Sequence, residues 1–435
     1  MNRPNLHIPA NLAHNHILEH HLLKGRDLKG RLRILVRWIA LGCLTGLIVG
    51  GAGCALYYGV RLATQLRTAH PWILFLLPAG GLFIVFMYRS AGVHRDSGTN
   101  LVIRSIQQGD HLPLKMTPLI LISTCVTHLF GGSSGRESAG LQIGGSLGYN
   151  IGRLFKLDES NLRIITMCGM SAAFSALFGT PMTAAFFAME IESVGVMYYA
   201  SLVPCVLSAL VASALAGRLG ITPEIFAVRI VPTFSLYNAF FAGLLAVLCA
   251  FVSVFFCAVL HETGHLYQSK ITNPYLRAVI GGCLVIAVTL LIGSQTYNGA
   301  SMALIDSAFK GEAAYGAFLL KMILTALTLG AGYKGGEIVP SLCVGATFGC
   351  AFARIGGFDP ALCSAIGMGA LFCGVTNCPI SSLLICFELF GYAGMPYYLL
   401  AIALSYTFSG YHSLYSSQKI VYSKFHNTYV NRETK

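Results

Sequence analysis

The sequence predicts an all-α, polytopic membrane protein with broken and re-entrant helices arranged in two repeated halves. Three observations predict it. Of the 435 residues, 55% are hydrophobic and only 11% charged, and the mean hydropathy is +0.67; an ordinary soluble domain is about a quarter charged. Apolar segments recur along the whole chain, and many are interrupted by Gly or Pro before reaching the roughly 20 residues that span hydrocarbon. Finally, Gly131-Gly132-Ser133-Ser134-Gly135-Arg136-Glu137-Ser138-Ala139-Gly140 sets a carboxylate and a guanidinium between two apolar stretches. Charged side chains are costly in the membrane and mark pathways or functional sites. Irregular backbone at that depth is tolerated only when buried in protein or lining a wet cavity. Because free amides at a helix start attract anions, the motif reads as an anion pathway with an acidic gate, Glu137.

The chain divides into a basic, histidine-rich segment over 1–32, a transmembrane domain over 33–425 with halves at about 33–219 and 233–425, and a short tail over 426–435. His7, His14, His16, His20 and His21 show no regular ligand spacing, so a solvated, pH-sensitive tail is preferred to a metal-binding one. The polar start does not read as a cleavable signal peptide. Lys24, Arg26, Lys29, Arg31, Arg33 and Arg37 precede the first apolar run, and Lys419, Lys424, Arg432 and Lys435 lie at the other end. The positive-inside rule then places both termini in the cytoplasm of a plasma or inner membrane. The same distribution accounts for the net charge of +12 without nucleic-acid binding. The fourteen cysteines lie mostly in apolar segments, as Cys168, Cys343, Cys363, Cys373 and Cys386 do, and no CxxC pair has zinc spacing; they read as small buried hydrophobes. No cofactor and no metal site is expected.

Taken in order, apolar segments lie at about 35–65 and 71–90. A polar break at His94-Arg95-Asp96-Ser97-Gly98-Thr99-Asn100 follows, then 117–130 after Pro113 and Pro118, and 141–155 after the motif. Gly144, Gly145, Gly148 and Gly152 in the last of these suit close helix approach. Leu157-Asp158-Glu159-Ser160 reads as a helix start with acidic residues at the positive end of the dipole. That helix runs to about Phe178, Gly179-Thr180-Pro181 breaks it, and another continues to Glu190. Further segments fall near 196–216, 233–260, 277–293, 314–331, 341–355, 361–375, 380–391 and 394–408.

Two stretches about 200 residues apart resemble each other. Gly135-Arg136-Glu137, Gly145, Gly169, Pro181 and Glu190 are matched by Gly335-Gly336-Glu337, Gly345, Gly367, Pro379 and Glu388. Paired, interrupted apolar segments in two halves point to a substrate site at the membrane midplane.

Two motifs suggest other chemistry. His261-Glu262-Thr263-Gly264-His265 matches HExxH, which on a helix puts two imidazoles on one face with a glutamate base; an intramembrane metalloprotease is therefore a rival reading. The motif ends a long apolar run and is followed by Gln268, Lys270 and Asn273, so it reads as an interface loop, and no third ligand stands out nearby. Gly131-x-Ser133-x-Gly135 matches a nucleophile elbow but lacks the strand-turn-helix setting that motif requires.

At the residues quoted so far the chain resembles the CLC family of chloride channels and anion/proton antiporters. Gly135-Arg136-Glu137 matches the start of the family's GREGP motif, Gln142-Ile143-Gly144-Gly145 the run after it, Gly335-Gly336-Glu337-Ile338-Val339-Pro340 the GxFxP region, and Leu414-Tyr415-Ser416 the region of the central tyrosine. The similarity extends from about 33 to 425. His128-Leu129-Phe130-Gly131-Gly132-Ser133, Leu327-Thr328-Leu329-Gly330-Ala331-Gly332 and Gly98-Thr99-Asn100-Leu101 look most like the fluoride/proton branch. The last of these stands where chloride-type members carry GSGIP.

The resemblance implies two inverted halves and a homodimer in the bilayer, each subunit with its own pore for a halide (chloride or fluoride) and protons, and no enzymatic activity. It implies Glu137 as gate and proton carrier, with Tyr415, the amides of Ile338 and Val339, and Thr99 as anion contacts. The antiporters' internal proton glutamate falls at Ile191, so Glu190 or water is the expected substitute. Ser138-Ala139, Ile338 and Val339 depart from the family's usual residues. Proton-coupled exchange is favoured, with a passive channel as the alternative. Arg136 is either a structural cation paired within the subunit or an electrostatic lure.

Overall fold

The computed structural model describes residues 28–93, 97–426 and 428–434. The five N-terminal histidines, Lys24, Arg26, Lys435, and His94, Arg95 and Asp96 of the polar break lie outside the described residues.

The described chain folds into sixteen α-helices and three short strands. The first half holds α1 (Leu28–Ala69), α2 (Leu77–Ser90, extending a 3-10 turn over Pro71–Leu76), α3 (Thr99–Gln108), α4 (Met116–Leu129), α5 (Glu137–Leu154), α6 (Glu159–Phe178), α7 (Pro181–Glu190) and α8 (Leu202–Arg218). The second repeats the series as α9 (Leu236–Lys270), α10 (Pro274–Ile292), α11 (Met302–Phe309), α12 (Ala317–Gly330), α13 (Ile338–Gly356), α14 (Pro360–Thr376), α15 (Pro379–Phe390) and α16 (Met395–Phe408). Among the described residues, seven helices are long and apolar enough to cross a membrane. The others are shorter, which makes the chain a multi-pass membrane protein with interrupted helices.

The helix boundaries follow local chemistry. The α6 helix begins after Asp158 and ends at Gly179 in the left-handed conformation (φ +74°) before Thr180-Pro181. Its counterpart α14 begins at Asp359-Pro360, where the Asp359 carboxylate accepts from Leu362 N–H at 2.8 Å. It ends on a left-handed residue too, but there Asn377 (φ +57°) takes the place of glycine, as Asn tolerates that region better than most residues. In each half the two central helices cross at bare glycines. A Cβ on Gly169 would lie 2.0 Å from the Gly144 carbonyl oxygen, and one on Gly367 would lie 2.2 Å from that of Gly345.

The halves are inverted. Gly135 N–H donates to Gly336 O at 2.6 Å and Gly336 N–H to Gly135 O at 2.7 Å, an antiparallel bridge between equivalent positions. A two-fold axis through the bridge relates the halves, so α5 and α13 leave it in opposite directions.

This register corrects the repeat read from sequence by one residue around the motif. Glu137 and Ile338 each open a helix, and the counterpart of Glu337 is Arg136. Matching identical letters had aligned the two glutamates.

Other expectations change as well. The helices α3 and α11, of 10 and 8 residues, lie outside the expected apolar segments because they are far shorter than a span. The segment expected from 141 starts at Glu137, because the motif itself supplies the first turn. The N-terminal segment expected over 1–32 ends in helix, since α1 already begins at Leu28. The HExxH motif lies within α9, not in a loop, because nothing after the apolar run breaks the helix until Ile271. The segment 426–435 contributes β3 (Tyr429–Glu433), antiparallel to β2 (Lys419–Tyr422), which runs parallel to β1 (Ser193–Val194) from the first half.

Candidate functional site: a carboxylate at paired helix N-termini

The loop between α4 and α5 is held on every side. Gly132 N–H donates to Thr127 O at 2.8 Å, Ser133 N–H to Thr328 Oγ1 at 3.0 Å and Ser133 Oγ to Tyr297 O at 3.0 Å. His128 Nε2 lies 3.3 Å from Gly135 O. This delivers Glu137, 2% exposed, to the first turn of α5. One carboxylate oxygen accepts from the Arg136 amide at 3.0 Å, and the other lies 3.3 Å from Arg136 Nε. The carboxylate therefore rests on the amide end of its own helix, the place to which backbone dipoles draw an anion.

Arg136 also reaches Glu224 Oε1 of the inter-half linker at 3.3 Å and lies 4.5 Å above the Tyr57 ring. It is tied within the subunit, as the structural reading of this cation expects.

Across the bridge, Ile338 and Val339 are buried in the first turn of α13, whose amides have no carbonyl one turn back. A Cβ on Gly135 would lie 3.1 Å from the Val339 side chain, so both helix starts press on one point. Tyr415 is fully buried, and its hydroxyl has no protein hydrogen-bond partner. The buried Ser138 hydroxyl faces both the Tyr415 phenol and the Glu337 carboxyl. Two hydroxyl groups thus meet at one buried spot, where their O–H groups can turn to an acceptor such as a small anion.

Beside this point opens a cavity of about 490 Å³, lined by Thr99, Gln142, His261, His265, Glu337 and Ser416 among others. Thr99 opens α3, and its hydroxyl accepts from Gln142 Nε2 at 3.5 Å. The two histidines of the HExxH motif face this cavity one helical turn apart, whereas Glu262 is exposed elsewhere. Among the described residues no cluster of three or more His, Cys, Asp or Glu side chains could hold a metal. A second cavity of about 810 Å³ shares Asn100, Gln268, Lys334 and Ser416 with the first and adds Arg89, Arg104 and Arg277. The wall of this second cavity is thus basic, and basic walls concentrate anions.

Glu137, Ile338, Val339 and Tyr415 come together around the bridge, and Thr99 sits on the wall of the adjoining cavity. Glu190 goes elsewhere. Its oxygens accept from Ile380 N–H at 3.1 Å and from Ser381 N–H at 2.8 Å and Oγ at 2.5 Å, at the N-terminus of α15. Ile191, at the expected acid position, is fully buried. Sequence reasoning did not name Glu337 as a site residue. The signal was an acid beside the glycine break in both copies of the repeat, where it was read only as evidence of duplication.

The family model described as voltage gated chloride channel matches residues 80–410. The chain belongs to the CLC family. Its members are transporters and channels, and the chain is not an enzyme. A chloride/fluoride channel protein of Pseudomonas syringae pv. tomato is 33% identical over 402 residues, covering 91% of this chain and 89% of that protein. An H(+)/Cl(-) exchange transporter of Vibrio cholerae is 25% identical over 398 residues, covering 80% and 81%. The crystal structure of a CLC-type fluoride/proton antiporter superposes with a TM-score of 0.85 at 26% identity, covering 88% of this chain and 98% of that one. That of a slow cyanobacterial Cl-/H+ antiporter gives 0.72 at 19% identity and bears on the fold alone.

Proposed function

We propose that this CLC chain is a halide/proton antiporter, with fluoride ahead of chloride. The observation that carries the reading is the Glu137 carboxylate lying on the amide end of α5, where that end meets the start of α13 through the Gly135–Gly336 bridge. Ionised, Glu137 fills the place an anion would take; protonated, it loses its attraction for the amides and yields the place to a halide. An anion arriving next to a buried carboxylate favours its protonated form, which couples the two movements.

The halide rests against the Tyr415 and Ser138 hydroxyls and the Ile338 and Val339 amides, and Thr99 meets it at the cavity wall. Fluoride holds its water strongly, so a site for it must offer several close donors, and this one does. Glu337, half-buried on the cavity wall and facing Ser138, is the inner proton acceptor in place of the acid missing at Ile191. The relative described as a chloride/fluoride channel protein and the fluoride/proton antiporter fold support this choice of anion. The protein acts as a homodimer with one pathway per subunit, in the bacterial inner membrane with both termini cytoplasmic.

Liposomes loaded with fluoride or chloride and followed with halide-selective and pH electrodes test the reading. Halide efflux should drive protons inward against their gradient, and Glu137→Gln should abolish proton movement while anion flux continues. Halide flux without proton movement in the wild type makes the chain a passive channel.

A further inference from the structure

Three basic side chains converge beyond the gate with no carboxylate among them. Arg67, two residues from the end of α1, is 4% exposed, and its Nε and Nη1 have no hydrogen-bond partner. His128, one residue from the end of α4, is fully buried, and its Nδ1 has none either. Lys321 of α12, fully buried, donates only to neutral oxygens: Ser133 Oγ at 2.9 Å, Tyr297 O at 3.2 Å, Gly299 O at 2.7 Å and Ser301 Oγ at 2.9 Å. Among the described residues the ion pairs are Arg104–Asp110, Arg136–Glu137 and Arg136–Glu224, so neither Arg67 nor Lys321 has one. Buried cations without a counter-charge are costly, and buried N–H groups without an acceptor add to that cost.

Gly299 marks where they meet. It is left-handed (φ +66°), and a Cβ placed on it would lie 3.2 and 3.3 Å from Arg67 Nη2 and Nη1 and 3.5 Å from His128 Nδ1. The missing side chain lets guanidinium and imidazole nitrogens pack directly against this backbone, with the ammonium of Lys321 on the carbonyl of the same glycine.

The repeat gives the spot a meaning. Arg67, His128 and Lys321 stand at the same helix positions as Gln268, Leu329 and Ile120 of the other half, and Ser301 caps α11 as Gly98 caps α3, both with φ +59°. Gln268, Leu329, Ile120 and Gly98 all line the inner cavity. Inversion places the basic cluster on the opposite face, where the second entrance to the gate belongs.

We propose that Arg67, His128 and Lys321 form a binding station for a small inorganic anion, a halide here, on the approach to Glu137 from the face opposite the inner cavity. The station rests on the gate reading above for its ligand and its place on the route. Lys321 and His128 both bond the loop that carries Glu137, through Ser133 and Gly135, so an anion held there acts on the same loop as the gate.

Isothermal titration of the purified protein with sodium fluoride and sodium chloride reads the station without transport. Arg67→Gln should weaken a halide-binding step about tenfold, Arg67→Lys should weaken it less, and the loss should add to that of Tyr415→Phe, as separate sites require. Halide should also raise the melting temperature of the wild type more than that of Arg67→Gln. Equal isotherms and equal halide-induced melting shifts for the wild type and a folded Arg67→Gln overturn the proposal, because the cluster then holds water only. Should Arg67→Gln not fold, Arg67→Lys and His128→Gln carry the same comparison, and halide binding unaltered in both is the same negative result. A wild type that moves halide without protons removes the gate reading and leaves this binding test intact.

Discussion

Glu190 and Glu388 cap each other's helices across the pseudo-two-fold axis. Glu190, the last residue of α7, accepts from the first amides of α15, and Glu388 of α15 accepts from Met182 and Thr183 N–H, each at 2.8 Å, and from Thr183 Oγ1 at 2.6 Å at the start of α7. Two carboxylates thus satisfy two helix N-termini where the halves meet. Glu190→Ala should leave buried amides unpaired and cost about 1–3 kcal/mol, seen as a lower melting temperature in detergent. Folded Glu190→Gln should keep the wild-type ratio of protons to halide; an unchanged melting temperature with lost coupling would instead restore Glu190 to the proton path.

The proposed exchange gives Glu337 a proton-transfer task on the inner side of the gate. Glu337→Gln should stop halide-driven proton movement as completely as Glu137→Gln does, while Glu262→Gln, exposed on α9, should not. Proton and halide fluxes measured on the same vesicles check this. Full coupling in Glu337→Gln would move the inner acceptor elsewhere on the cavity wall.

The bridge between the halves tolerates no side chain at Gly336. A methyl there would lie 2.9 Å from Ser138 N, 3.0 Å from its Oγ and 3.1 Å from its Cβ. Gly336→Ala should therefore push α5 and α13 apart, cost about 1–3 kcal/mol, and depress halide flux per folded molecule. Gly217→Ala in α8, where a Cβ meets nothing within 4 Å, is the matched control and should leave both stability and flux alone.

Glu192 should make stability depend on pH. It lies between α7 and β1, 4% exposed, with one carboxylate oxygen unpaired. Burial raises its pKa from 4.5 to about 7, against the opposing pull of Arg163 and Lys419. Between those values the folded chain binds more protons than the unfolded one, so stability falls as pH rises from about 4.5 to about 7. The loss from this group is up to about 3 kcal/mol at the top of that window. Glu192→Gln should flatten the melting curve against pH over this range; an unaltered slope would show that the carboxyl finds a partner on folding.

Much of this was legible in the chain. Asp158-Glu159 and Gly179-Thr180-Pro181 gave both ends of α6, because caps and breakers act locally. Glu137 stood out because an acid beside a glycine break is unusual among apolar neighbours, whereas Tyr415 and the amides of Ile338 and Val339 came only from the resemblance to the family. What stayed hidden depends on contacts between distant parts. The mutual capping by Glu190 and Glu388 needs both halves folded. The one-residue register of the bridge is a backbone property, and matching side chains misplaced it. His261 and His265 read as a loop because polarity at a helix end looks the same whether the helix stops or runs on past the hydrocarbon into a wet cavity. The strands were missed because β1 is two residues long and its partner comes more than two hundred residues later.

That late pairing has a consequence for how the pathway is made. Thr434 Oγ1 donates to Tyr415 O at 2.7 Å, Thr434 N–H to Gln418 O at 3.0 Å, and Gln418 Nε2 to Ile191 O at 3.1 Å and Thr376 O at 2.8 Å. The segment that fixes the tyrosine leaves the ribosome after all sixteen helices. A nascent chain already inserted in the bilayer still lacks these hydrogen bonds to the backbone of Tyr415, so the tyrosine is expected to take its fixed place only once β3 has been made.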